Sequence, residues 1–149
     1  MIPADDPGWT AYADAILVFH TVPPFEIDLS RPISPDRRAL LAGAGLGGEF
    51  GLVTAENPRG RAATPDRNRR LRAAFDAELS RHGGARLRVD GLSRDRRHCE
   101  IGVALDWPKQ SVVELARRWE QSAIYWFDGA VMWVIGALTD APPWKLEPR

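Results

Sequence analysis

Several side chains in this sequence combine chemical capability with odd placement. Asn68 stands three residues before Leu71 and seven before Phe75, on what the helical period makes a buried stripe, where leucine would be ordinary. Thr54 and Asn57 flank the C-terminal end of an apolar strand, where strand-to-helix loops commonly gather ligand-binding groups. Glu100 shares a strand face with His98 and Gly102, and Gln121 comes at the last turn of a helix, just ahead of another apolar strand. These hydroxyl, amide and carboxylate groups suit hydrogen bonding to a polar ligand, with Glu100 the candidate general base or hydroxyl acceptor. Arg59 joins the set as a cation. The helix that Thr64 opens has free N–H groups near Arg59 and Arg61, a combination that favours an anion such as a phosphate.

The same residues have structural uses. An Asx turn at Asn57-Pro58 and an amide tying strand to helix would satisfy buried backbone groups. Glu100 can pair with Arg59 or Arg67, and Gln121 can close a helix end. Familiar catalytic patterns are missing: there is no GxGxxG, GxxxxGK[ST], GxSxG or HExxH, and Gly43 to Gly48 precede a strand instead of following one. No cofactor is expected. With only His20, His82 and His98, and no third ligand spaced to join His98 and Glu100, no metal site is expected either. Cys99 alternates with His98 and Glu100 along the strand, so it reads as a buried core cysteine on the opposite face, not as a nucleophile with a histidine base.

The elements that must position these groups follow from pattern. At 149 residues, 44% hydrophobic and 27% charged, the chain fits one domain with one sizeable core, about residues 12–138, between polar, proline-bearing ends at 1–8 and 141–149. Residues 9–15 read as a helical turn feeding the apolar run Ala15-Ile16-Leu17-Val18-Phe19. After Pro23-Pro24 the alternation of Phe25, Ile27 and Leu29 completes a hairpin. Ser34-Pro35-Asp36 opens a helix, and Phe50-Gly51-Leu52-Val53-Thr54-Ala55 is a strand covered on both faces. Thr64, Pro65 and Asp66 start the clearest helix, which Gly83-Gly84 end. Strands at 86–89 and 99–105 are joined through an Asp90-Gly91 turn region, a capping box at Ser111 opens a third helix, and Asp128-Gly129 suits a tight type I′ turn between two last strands. The order is roughly ββαβαββαββ: an α+β fold with a mixed, largely antiparallel sheet and about three helices packed mainly on one side.

Charge and cysteine usage set the surroundings. Net charge is zero, yet residues 59–97 hold twelve arginines against five acids, an excess of seven positive charges. A solvated arginine-rich face is the plain reading, and a nucleic-acid surface is the alternative. No apolar run reaches the ~18 residues a membrane span needs, and Asp5 and Asp6 stand where a signal peptide would carry Lys or Arg. One cysteine allows no intrachain disulfide. A cytoplasmic location is expected.

Taken together, Leu52-Val53-Thr54-Ala55-Glu56-Asn57-Pro58, the helix with Asn68, the isolated Gly91, the strand bearing Glu100, and Glu120-Gln121-Ser122-Ala123-Ile124 resemble a bacterial family, the domain of unknown function 3293, over about residues 12–135. The Thr-Ala-x-Asn-Pro loop and the Gln-x-Ala-Ile step carry the resemblance. This chain has Glu56 where the family often has an aromatic, and Glu120 where it often has glycine. The resemblance implies a small α+β domain with a shared polar set and no established activity.

Three functions remain open. A small-ligand-binding domain would use Thr54, Asn57, Arg59, Asn68, Glu100 and Gln121 for a polar or phosphorylated metabolite. An interaction or regulatory accessory protein would bind a protein partner through Trp9, Trp144 or the arginine-rich segment, since Trp9, Trp107 and Trp144 lie in turn-rich stretches. A nucleic-acid binder would use residues 59–97.

Overall fold

A computed structural model describes residues 8–147. Its frame is one eight-stranded sheet in the order β2-β1-β4-β5-β3-β6-β7-β8. The strands are β1 (Ile16–Phe19), β2 (Phe25–Asp28), β3 (Phe50–Thr54), β4 (Arg86–Leu92), β5 (Cys99–Leu105), β6 (Ala123–Phe127), β7 (Met132–Gly136) and the short β8 (Trp144–Lys145). Every described pairing is antiparallel. The helices are α1 (Pro35–Gly43), α2 (Pro65–His82) and α3 (Lys109–Arg118), with 3-10 turns at Trp9–Asp14 and Pro58–Gly60. The expected α+β order therefore holds, with one strand added at the end.

Period-two alternation sorts the apolar side chains onto two faces. Val53, Leu105, Ile124 and Trp126 face the helices α2 and α3, and pack against Phe75, Leu79, Val112 and Leu115. A Cβ on Gly51 would meet Val112 Cγ1 at 2.8 Å, so glycine is what lets α3 seat this closely on β3. Leu17, Phe19, Phe25, Phe50, Leu52 and Phe127 point the other way, under Trp9, Leu41 of α1 and Leu146. Two helices thus share one face, and α1 lies on the other.

That second face is concave. Strands spaced ~4.8 Å apart put β1 and β3, three places apart, ~14 Å from each other on a flat sheet. Yet the rings of Phe19 and Phe50 meet at 6.4 Å between centroids. The sheet must curl to bring them together. α1 ties the rim of the curl: Arg37 Nε donates to Glu26 O of β2 at 2.8 Å and Arg38 Nη2 to Ala130 O beyond β6 at 3.4 Å.

Four local expectations are corrected. Asp90 and Gly91 lie inside β4, where Gly91 pairs with both Leu17 and Glu100, and the chain reverses instead at 93–97, where the Ser93 hydroxyl and Asp95 carboxylate accept backbone N–H bonds. The β6–β7 connection is a four-residue loop, because the Asp128 carboxylate accepts from the N–H groups of Ala130 and Val131 and displaces the tight type I′ turn. α3 starts at Lys109, two residues before Ser111, with Pro108 in the N-cap position. Trp9 is 4% exposed and stacks on half-buried Trp144 of β8 at 6.2 Å, and Trp107, half-buried, stacks on His82. Only Trp9 departs from the expected partial exposure, because apolar packing outweighs the polar, proline-bearing composition around it; Trp107 and Trp144 are partly exposed as their turn-rich surroundings suggest.

Candidate functional site

The loop after β3 is built around two residues in left-handed backbone geometry, Asn57 (φ 49) and Arg59 (φ 59). Asparagine tolerates that region because its short side chain bonds locally. Here it bonds widely. The Asn57 N–H donates to Asn68 Oδ1 (2.9 Å), Asn68 Nδ2 donates back to Asn57 Oδ1 (3.0 Å), and the Ala63 N–H donates to the same oxygen (2.9 Å). Asn57 Nδ2 then donates to Glu100 Oε1 at 3.0 Å. The odd asparagine on the α2 stripe is thus the strut that fixes the loop, and the loop fixes the carboxylate.

Neighbouring groups complete the support. Thr54 Oγ1 donates to Ile101 O (2.8 Å) and accepts from the Glu56 N–H (3.0 Å), joining β3 to β5 beside Glu100. Glu56 is 5% exposed, with a carboxylate that accepts from the Ile101 N–H at 2.6 Å and pairs with Arg72 of α2 at 3.3 Å. Gln121 Nε2 donates to Glu56 O and Trp119 O, both at 3.1 Å. Sequence reading left Glu56 out of the site. The signal was a charged residue between the apolar strand and the Asn57-Pro58 turn, since a buried carboxylate persists only with partners.

Two adjoining cavities meet at Glu100. The outer one, a cleft of about 650 Å³, is lined by Asn57, Asn68, Glu100, Arg94, Arg97 and His98 among others. The inner one, a recess of about 90 Å³, is lined by Thr54, Glu100, Gln121, Leu17, Leu52 and Val89 among others. Tyr12, Gly91, Glu100 and Tyr125 border both. The recess exists because Gly91 and Gly102 carry no side chains on the concave face. A Cβ at Gly91 would meet only Glu100 O, at 4.0 Å, whereas one at Gly102 would meet Val53 O at 2.7 Å. Tyr125 donates its hydroxyl to Tyr12 O at 2.7 Å, and burial pushes its phenol well above the ordinary range, so it stays neutral.

Of the six residues read from sequence, Asn57, Asn68 and Glu100 border the cleft, and Thr54, Gln121 and again Glu100 the recess. Arg59 borders neither. Its N–H donates to Glu120 O at 2.7 Å and its Nε to Glu120 Oε1 at 3.0 Å, which turns the side chain toward the α3–β6 link. Glu120 is itself left-handed (φ 55), a geometry that glycine adopts most easily. Cys99 is exposed and borders the cleft together with His98 and Glu100, which corrects the expectation of a buried core cysteine. The reason is its place at the very start of β5, next to the 93–97 turn, where no helix covers it. Partial burial and the nearby carboxylates of Asp90 and Glu56 push its thiol up, away from the thiolate a nucleophile needs. Among the described residues, no group of three or more His, Cys, Asp or Glu is arranged to hold a metal ion. No described helix is long and apolar enough to cross a membrane.

Sequence missed Tyr12, Gly91 and Tyr125 as cavity walls. Tyr125 stands in an apolar strand, and the one signal it gives is its hydroxyl, which needs a partner when buried. No curated protein and no solved structure matches the chain. The family model described as a protein of unknown function (DUF3293) matches residues 53–124, the stretch that runs from the end of β3 through the Asn57 loop, Asn68, Gly91 and Glu100 to Gln121. Over this segment the chain is similar to this family of proteins of unknown function, and the segment supplies several walls of both cavities.

Proposed function

We propose that this chain is a small-ligand-binding domain that takes a polar metabolite into the cleft and recess. The observation that carries the reading is the position of Glu100, held by Asn57 at the point where an apolar-walled recess opens onto a polar cleft. A cleft of about 650 Å³ has the size of a metabolite site, and a few fixed polar groups among apolar walls are the usual composition of one. Arg97 and His98 at the outer rim suit an anionic substituent, a phosphate or carboxylate, in place of the α2 N-terminus. There the Thr64 hydroxyl already accepts the Arg67 N–H, and Asp66 occupies the first turn. A cytoplasmic setting, in which the exposed Cys99 stays reduced, belongs to the same reading.

Partner surfaces gain less support. Seven of the twelve arginines in residues 59–97 face acids: Arg59, Arg69, Arg72, Arg86, Arg88, Arg94 and Arg96. That pairing breaks up the cationic surface a nucleic acid would follow. The test is a thermal-shift and native mass-spectrometry screen of metabolites against wild type and Gly91→Leu, which fills the recess. A ligand at a hundredfold excess over Kd stabilises the folded state by about 2.7 kcal/mol, and that gain should vanish in Gly91→Leu. A flat screen, or hits that stabilise both proteins equally, would sink the reading.

A further inference from the structure

The recess is a notch in the concave-face core. Its walls Leu17, Leu52 and Val89 are members of that core, and Ala123 and Tyr125 pack against it. Protein interiors leave few spaces larger than one water unfilled, yet this notch measures about 90 Å³. Three of the polar side chains that reach it have their protons committed to the protein itself. Thr54 Oγ1 donates to Ile101 O, the Tyr125 hydroxyl to Tyr12 O, and Gln121 Nε2 to the carbonyls of Glu56 and Trp119. Glu100, where the recess meets the cleft, accepts from Asn57.

Water gains little in a space whose walls are aliphatic and whose polar neighbours are already bonded, and apolar groups replace it readily. We infer that the recess receives the aliphatic end of the ligand, an alkyl group of about three carbons. The size follows from the volume: a methylene is comparable to a water, whose share of the liquid is ~30 Å³, and the notch is about three times that. A charged or hydroxyl-bearing end would give up its water for leucine and valine side chains. Arg97 and His98 line the cleft and not the recess, so the ligand enters tail first with its polar or anionic end outward. The inference rests on the small-ligand reading of the cleft and adds which end of the ligand is buried.

The test compares linear butanol, propanediol and aminopropanol, which carry a hydroxyl at one end and a methyl, hydroxyl or ammonium at the other, by amide NMR titration that follows Gly91, Gly102 and Gln121. Butanol should bind at least about tenfold more tightly than either of the others, since only its far end leaves water without losing hydrogen bonds. From ethanol through propanol to butanol affinity should rise about fourfold per carbon, the effect of burying one methylene, and hexanol should gain nothing further because the notch is full. Gly91→Leu, whose melting curve checks its fold, should abolish the shifts. Equal or tighter binding of propanediol or aminopropanol, an affinity that is flat along the alcohols or still rising at hexanol, shifts that persist in Gly91→Leu, or no shift with any probe would overturn the inference. If a metabolite from the screen stabilises wild type but not Gly91→Leu while butanol is not preferred, the cleft stands and only the assignment of its buried end falls.

Discussion

Asn68 and Asn57 exchange bonds so completely that they read as struts of the site more than as ligand contacts. Asn68→Ala removes the acceptor for the Asn57 N–H and the donor for Asn57 Oδ1, and should cost about 2–3 kcal/mol in chemical denaturation, one partly buried backbone donor being left unmet. An unchanged unfolding midpoint would show that the loop stands without it. Tyr125→Phe loses a single neutral bond, to Tyr12 O, worth about 1 kcal/mol by the same measurement. Because the Tyr125 phenol is raised in the folded protein, its contribution is complete below the ordinary tyrosine pKa near 10 and is lost as pH rises above it. Wild type should therefore lose stability in alkali more steeply than Tyr125→Phe. At this scale sequence was informative wherever a polar residue broke an apolar pattern, as Asn68 does. It was silent on Arg59, because the pull of Glu120 across sixty-one positions has no local trace.

Elements carry the next layer. Glu56 fastens β3, β5 and α2 at one buried point, and Glu56→Gln, which keeps the shape but discards the charge facing Arg72, should destabilise by about 2 kcal/mol. Matching loss in Arg72→Met, and no further loss in the double variant, would be the signature of that pair, whereas additive losses would dissolve it. Hydrophobic period gave most elements their places, including α2 and β5. It failed at Gly91, where a glycine after an aspartate looks like a turn. The residue is extended in β4 because long-range pairing with Leu17 and Glu100 on both sides overrides the local signal. The hairpin loop failed for the opposite reason: the side chain of Asp128 reaches forward to two N–H groups and sets its length.

Across the whole molecule, acid should undo the fold through carboxylates that tie distant strands. Burial pushes the Asp90 carboxyl up, but bonds from Arg88 and His20 outweigh it and hold it below the usual range. Asp28 is likewise lowered, its bonds to Ser30 and Arg94 overcoming burial. Such lowered groups stabilise fully above the ordinary aspartate pKa near 4, and that stability drains as pH falls through the folded values. Stability measured against pH should therefore drop below about 4, with a shallower slope in Asp90→Asn; parallel slopes would contradict the assignment. Strand order was beyond reach of the sequence, since the β1–β4 and β3–β6 pairings join segments far apart in the chain, and with it the curl that makes the cavities. That curl leaves the two recess glycines with unequal duties. Gly102 is demanded by the backbone opposite it, whereas Gly91 has ordinary extended geometry and open space above it. The ladder is indifferent to what stands at Gly91, and the recess is not. Depth of the recess is thereby set at one position that can change without rebuilding the fold, so relatives sharing this sheet can diverge in the size of group they admit by a single substitution there.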